Sequence, residues 1–168
     1  GCGELLFADK LFKPNSVYAS TFLGIPAICA TSVWEYANLV TPKPDANDPT
    51  TWDWTPAIQS AIDNTPQGGW VSFPDINGWY EFTSIRLKAG VNLTANGKSL
   101  YGGTIYFRDA VSQVVSNTLF GMWMKRVFIS YTKEAGDTGL ACNNLRLSYC
   151  HIDGTAKNNG GTVSGDAI

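Results

Sequence analysis

The fold of this chain is decided by two adjacent stretches, WTPAIQSAID at residues 54–63 and GGWVSFP at residues 68–74. The first predicts a short helix, because Thr55 can cap it, Pro56 suits the first helical position, and four apolar residues share one face. Those four residues are Ala57, Ile58, Ala61 and Ile62. Pro66 ends the helix, since a proline pushes the preceding residue out of the helical conformation. A helix this short is not stable alone, so its apolar face must cover another part of the protein.

Short strands are predicted after the helix. From residue 70 onward, apolar–variable–apolar triplets place two side chains on one side of a strand and one on the other. They begin at Val71, Tyr80, Ile85, Val91, Ile105, Val127 and Leu145. Pairs such as Asn96-Gly97 and Gly102-Gly103 separate them. Very short strands with a bend after each predict a β-solenoid, in which every coil lays parallel strands on the coil below. A β-sandwich is the alternative, because Asn-Gly pairs also form hairpins.

The two stretches, together with Gly78-Trp79-Tyr80, resemble the start of a right-handed parallel β-helix in the pectate-lyase-like fold of bacteriophage tailspikes. In that family a short AIQxAID helix caps the N-terminal end of the solenoid, and a GGxVxFPxGxY segment starts the first coil. The resemblance spans residues 50–154, with a different segment at 48–54 and a longer turn at 74–80. It implies a mainly β fold: a right-handed parallel β-helix (solenoid) with a short N-terminal capping helix, preceded by an attachment segment.

The sequence predicts three parts along the chain. Residues 1–40 form an N-terminal attachment or adaptor segment, and residues 41–52 form a linker. The linker is predicted from its prolines, which suit neither a helix nor an inner strand, at Pro42, Pro44 and Pro49. Residues 53–168 hold the capping helix and the first coils. No closing helix or polar terminator is evident at residues 165–168, so we expect this chain to be the N-terminal portion of a longer protein.

The tailspike resemblance also implies a function. Such proteins are homotrimers that join the phage tail or baseplate through their N-terminal segment, and they bind and often cleave bacterial surface polysaccharide. The expected location is the virion tail, outside the cell. The whole protein is then a receptor-binding polysaccharide depolymerase, a hydrolase or a lyase, with its active site beyond Ile168. Two alternatives remain open: a secreted bacterial pectate-lyase-like polysaccharidase, and a non-enzymatic tail or baseplate component.

No catalytic residue is predicted from the sequence. Glycoside hydrolysis needs two facing carboxylates, and the candidates are Glu81, Asp109, Glu134, Asp137, Asp153 and Asp166. A lyase would need a base and a cation that neutralises a uronate, and Lys125, Arg126 and Arg146 are the candidate cations. His151 is the single histidine, a residue type that can transfer protons at physiological pH. The spacing pairs none of these residues, and a turn role for Asp153 and a structural role for His151 are favoured.

Composition excludes several partners and cofactors. Lys and Arg number 12 against 14 Asp and Glu, a net charge of −2 that argues against nucleic-acid binding. The longest apolar run, residues 22–30, is too short to span a membrane. We expect no cofactor and no metal. Four cysteines without a CxxC pair do not suit zinc and are predicted to be reduced; they are Cys2, Cys29, Cys142 and Cys150.

Two further groups of residues have competing interpretations. Asp45, Asn47, Asp48 and Asp53 carry oxygen ligands that calcium accepts, but they lack the EF-hand pattern, so turn and capping roles are predicted. Aromatic residues concentrate around the first predicted coil, at Trp52, Trp54, Trp70, Trp79 and Tyr80. Such side chains stack on sugars, but they also pack cores and subunit interfaces. Packing of the helix cap and of an interface is the favoured interpretation.

Overall fold

The computed structural model describes residues 30–108, 116–130 and 144–153. The elements, in order, are β1 (Ala30–Ser32), two 3-10 helices (Val33–Leu39 and Pro49–Thr51), α1 (Thr55–Asp63), β2 (Trp70–Phe73), β3 (Tyr80–Glu81), β4 (Ser84–Lys88), β5 (Asn92–Tyr101), β6 (Thr104–Arg108), β7 (Ser116–Lys125), β8 (Phe128–Ser130), β9 (Asn144–Ser148) and β10 (His151–Asp153). The prediction of a mainly β chain with one short helix near residue 55 is confirmed for this part of the sequence.

The strands form two sheets, and every strand pair in the described ranges is parallel. One sheet has the order β1-β2-β5-β7-β10, with β3 also paired to β5 and β9 to β7; the other has the order β4-β6-β8. Strand β1 pairs 40 residues ahead, with β2, and the other strands pair 20 to 28 residues ahead. This pattern excludes the β-sandwich alternative for the described residues, because sandwiches are built from antiparallel sheets.

The hydrophobic core consists of apolar side chains that repeat at the same position of successive strands. In the larger sheet Val71 aligns with Leu93, and Leu93 with Leu119. In the smaller sheet Ile85 aligns with Ile105, and Ile105 with Ile129. All six side chains are buried. Apolar residues of the predicted triplets, together with Leu119 of β7, thus form continuous columns, since parallel pairing places equivalent residues side by side.

The Asn96-Gly97 pair corrects one expectation from the sequence. It does not separate two strands but lies inside β5, where the pairing with β7 shifts register between Thr94 and Gly97. Gly97 has φ +115°, which only glycine adopts without strain. The pair is an irregularity within a longer strand, as expected for a bulge that adds residues to one partner. No triplet had predicted β7, which contains Gly121 at φ +69°.

Helix α1 has the predicted buried face and the predicted end, but it begins at Thr55, one residue before the predicted start at Pro56, and its N-terminus is built differently. Ala57, Ile58, Ala61 and Ile62 are all fully buried. Trp54 occupies the cap position, and Thr55 is the first helical residue. The carboxylate of Asp53 accepts the Thr55 N–H at 2.9 Å. The Thr55 hydroxyl is thereby left to accept the N–H of Thr83 at 2.8 Å, just before β4.

Side chains of α1 cover the outer edge of β4. The Gln59 amide accepts the Arg86 N–H at 2.8 Å and donates to the Arg86 carbonyl at 3.1 Å. Lys88 Nζ donates to the carbonyl of Asp63 at 3.0 Å. The two Gln59 bonds replace the missing neighbour of an edge strand, whose backbone groups would otherwise be open to pairing with another chain. The helix therefore closes this end of the smaller sheet.

Residues 30–53 are joined to the same structure. Strand β1 pairs with β2, and Val33 is buried in the core. The backbones of Thr41 and Asp53 exchange two hydrogen bonds of 2.9 and 3.0 Å, so the predicted linker is a closed loop. Strand β1, which lies in the predicted attachment segment, thus extends the larger sheet. Residues 1–29 of that segment lie outside the described residues, and the division into three parts stays a prediction.

Candidate functional site

A row of aromatic and basic side chains lies on one side of the larger sheet, across β5, β7 and β10. Lys98 aligns with Trp123, and Trp123 aligns with His151. Trp123 stands between Met122 and Met124, which are buried in the core. Because side chains alternate along a strand, the indole of Trp123 points away from the core. We call Trp79, Lys98, Tyr101, Trp123 and His151 the aromatic face.

The rings of the aromatic face contact one another edge to face. The centroid of Trp123 lies 5.4 Å from that of Trp79, at an interplanar angle of 80°, and 5.0 Å from that of His151, at 68°. Trp79 is also 6.1 Å from Tyr101. These separations are within the range of favourable aromatic pairs. Each ring is thereby held in place by a neighbour, while His151 and Lys98 remain exposed.

Two cations are positioned by these rings. Lys98 Nζ lies 5.8 Å from the Trp79 centroid and 5.7 Å from the Trp123 centroid. The guanidinium of Arg126 lies 5.8 Å from the Tyr101 centroid, and its Nη1 donates to the Tyr101 hydroxyl at 3.0 Å. Attraction between a cation and a ring face holds both charges at the surface. The Nε1 of Trp123 is buried and has no hydrogen-bond partner in the part of the chain that the structure describes.

Two of the six candidate carboxylates, Glu81 and Asp153, lie in the described ranges, and they are not placed as a glycosidase pair. Glu81 is ion-paired with Lys43, and Asp153 lies 3.9 Å from Lys125. Glu81 and Asp153 occupy the same column of the sheet but are three strand spacings apart, about 14 Å. Hydrolysis needs carboxyl groups at most about 9.5 Å apart. The other four candidates, Asp109, Glu134, Asp137 and Asp166, lie outside the described residues.

The favoured packing role is confirmed for Trp54 and Tyr80. Both are buried, with ring centroids 4.9 Å apart, and Trp54 also packs 5.0 Å from Trp34. The Tyr80 hydroxyl accepts the Trp34 Nε1 hydrogen at 2.7 Å and donates to the Pro74 carbonyl. Burial raises the pKa of Tyr80 well above its usual value. Trp52 donates to the Ala46 carbonyl at 3.0 Å.

Of the five aromatic residues singled out in the sequence, Trp79 alone joins the aromatic face. The sequence did not predict that Lys98, Tyr101 and Trp123 belong to a functional site. The alternation of Met122, Trp123 and Met124 was the available signal, since it places one indole opposite two core side chains. The sequence does not predict that His151 lies beside Trp123, because the pairing of β10 with β7 cannot be derived from it.

Of the four residues Asp45, Asn47, Asp48 and Asp53, the structure shows the predicted capping role for Asp48 and Asp53, whose carboxylates accept backbone N–H groups at helix starts. Asp48 caps the second 3-10 helix by accepting the Thr50 N–H at 2.9 Å, and this bond holds the pKa of Asp48 below its usual value. Asp53 caps α1. Within residues 30–108, 116–130 and 144–153, no three His, Cys, Asp or Glu side chains are grouped to hold a metal ion. No helix of these ranges is both long and apolar enough to cross a membrane.

Cys150 is the one cysteine within the described ranges, and it is a free thiol. Its Sγ donates to the Leu119 carbonyl at 3.2 Å, and burial raises its pKa. A raised pKa keeps the group in its unreactive thiol form at neutral pH. Cys2, Cys29 and Cys142 lie outside the described residues, so their predicted reduced state stays a prediction.

No protein-family model matches this chain, and no solved structure matches it. The chemistry of the aromatic face is therefore the basis for a functional assignment. It combines ring faces, a half-buried indole and exposed cations on a parallel sheet.

Proposed function

We propose that this chain belongs to a receptor-binding spike that attaches to bacterial surface polysaccharide. The observation that carries the proposal is the aromatic face. The apolar C–H faces of sugar rings pack on Trp and Tyr, while the polar rim of each sugar stays in water. A surface with Trp79, Tyr101 and Trp123 fixed side by side offers a long carbohydrate several such contacts at once. Fixed rings lose little conformational entropy on binding.

The proposed fold is a right-handed parallel β-helix with α1 as its N-terminal cap. Its support is the parallel pairing that repeats through both sheets, together with the α1 side chains that cover β4. Asn92 adds a further repeat-to-repeat contact, because its amide donates to Gly69 at 3.2 Å and accepts the Thr118 N–H at 2.8 Å. Each repeat then buries an apolar side that it could not bury alone.

The proposed biological setting follows from the resemblance to phage tailspikes. The complete protein is a homotrimer in the virion tail, outside the host cell, and residues 1–40 join it to tail or baseplate proteins. Cleavage of the polysaccharide is assigned to residues outside the described part, in keeping with the wide separation of Glu81 and Asp153. Neither nucleic acid nor membrane insertion has a part in this function.

Binding of the purified chain to bacterial capsular and lipopolysaccharide preparations tests the proposal, by affinity gel electrophoresis. We expect Trp79→Ala and Trp123→Ala each to weaken binding about tenfold, the loss of one good ring contact. Phe128→Ala is the matched control, because Phe128 is 59% exposed on β8 of the other sheet. Melting temperatures check that all three variants fold. If both tryptophan variants bind as the control does, the aromatic face is not the binding site.

Two further measurements separate the alternatives. Light scattering after gel filtration reports the oligomeric state, and a reducing-end assay reports sugar release by the complete protein. A trimer that releases sugar supports the depolymerising spike. A monomer that releases sugar favours the secreted polysaccharidase, and a trimer that releases none favours a non-enzymatic tail component.

A further inference from the structure

We propose that the aromatic face selects acidic polysaccharides, with Lys98 and Arg126 binding the carboxylates of uronic or sialic acid residues. This inference rests on the proposed function and names the class of its ligand. A uronic acid carries its carboxylate directly on the sugar ring. The Lys98 ammonium lies over the Trp79 and Trp123 rings, so a uronic acid that packs against these indoles meets the ammonium with its carboxylate.

Local charge favours an anionic ligand. The two carboxylates nearest in the sheet are already matched, Glu81 with Lys43 and Asp153 with Lys125. Lys98 and Arg126 make no ion pair with any carboxylate of the described residues. The aromatic face and its border thus carry an excess of positive charge on a chain whose net charge is −2. Complementary charge of this kind attracts an acidic polymer and orients it.

Both cations are held in place before a ligand arrives. Two indoles flank the Lys98 ammonium, and the Tyr101 ring and hydroxyl hold the Arg126 guanidinium. A guanidinium donates two parallel hydrogen bonds to a carboxylate, whereas a lysine acts as a point charge. Side chains that are already ordered lose less entropy when they bind.

The backbone at Arg126 points to the same function. Arg126 has φ +53°, a left-handed conformation that suits glycine. The equivalent corner one strand earlier is occupied by Gly102, at φ +86°. Gly102 donates to the Lys125 carbonyl, and Arg126 donates to the Asp153 carbonyl, so the two residues make matching bonds. Glycine would serve this corner without strain, and strained residues of this kind concentrate at functional sites.

The test compares acidic and neutral forms of the same polymers. Alginate, polygalacturonate and polysialic acid are each assayed against the purified chain beside their carboxyl-reduced forms, with dextran as a neutral polymer. We expect at least one acidic polymer to bind tenfold or more tightly than its reduced form, and binding to weaken as salt rises. Lys98→Gln and Arg126→Gln remove the preference. Arg146→Gln, the same change at an exposed arginine of β9, preserves it.

Each outcome bears on one proposal or on both. Equal binding of acidic and reduced polymers, lost in Trp123→Ala, overturns the selection of acidic ligands and leaves polysaccharide binding standing. A preference that survives in both Lys98→Gln and Arg126→Gln assigns it to other residues and overturns the inference as stated. Absence of binding to every acidic polymer also overturns it. If the bacterial preparations fail to bind as well, the proposed function falls with it. Arg126→Gly, which relieves the left-handed strain, separates lost charge from lost stability.

Discussion

Replacement of Gln59 by methionine removes the two hydrogen bonds through which α1 covers the edge of β4. Methionine keeps the length of the side chain and matches glutamine in helix propensity, so the helix itself is not weakened. The variant loses the hydrogen bond from the Arg86 N–H to Gln59 Oε1, at 2.8 Å, and the hydrogen bond from Gln59 Nε2 to the Arg86 carbonyl, at 3.1 Å. The bond from Nε2 to Asp63 Oδ1, at 3.0 Å, is lost as well.

The expected cost follows from the environment of these bonds. Both bonds to Arg86 are partly buried, so water replaces them only in part. A buried donor or acceptor that loses its partner costs about 1–3 kcal/mol. The exposed bond to Asp63 adds little. We expect Gln59→Met to lower the free energy of unfolding by about 1–2 kcal/mol. The uncovered edge should also make the variant more prone to associate.

Urea unfolding followed by circular dichroism measures the change, and light scattering measures association. Gln67→Met is the matched control, because Gln67 is exposed in the turn after α1. We expect the control to stay within about 0.5 kcal/mol of the unchanged protein. If Gln59→Met unfolds at the same urea concentration as Gln67→Met, the helix does not close the sheet through this side chain, and the capping role assigned to it is wrong.

Three further substitutions test the packing and the pH response. Gly103→Ala should destabilise by about 1–3 kcal/mol in thermal unfolding, because its Cβ would lie 2.6 Å from the Phe82 ring and 2.7 Å from the Phe82 carbonyl oxygen. Gly102→Ala, where φ is +86° but space is open, should cost about 1 kcal/mol, and an equal loss at both glycines would contradict the steric argument. Tyr80→Phe should cost about 1–2 kcal/mol, since Trp34 Nε1 and the Pro74 carbonyl both lose a partner. Burial raises the folded-state pKa of Tyr80 above its ordinary 10.0, so the stability linked to its proton is complete below pH 10 and is lost as pH rises further. The unchanged protein should therefore lose stability faster than Tyr80→Phe between pH 9 and pH 11, and parallel curves would contradict this.

The aromatic face shows why sequence analysis finds some site residues and misses others. Trp79 was noticed because aromatic residues concentrate near it in the sequence. Trp123 and His151 come from different strands and meet only because β10 pairs with β7 in a particular register. A shift of one residue would turn every side chain of β10 to the opposite side of the sheet. Register depends on bends and bulges, such as those near Gly97 and Gly121, that short-range patterns do not specify.

Most strand positions, the end of α1 and its buried face could be predicted from the sequence, because they follow from the period of apolar residues and from the backbone limits of proline. The capping role of Asp48 could be predicted as well, because it is a local contact. Three other features arise only when distant segments pack together: β5 continues through Asn96-Gly97, Thr55 bonds Thr83 instead of capping its own helix, and Lys98 lies against Trp123. These outcomes depend on strands far apart in the chain that pair side by side, and the free energy of such contacts belongs to the pair and not to either segment.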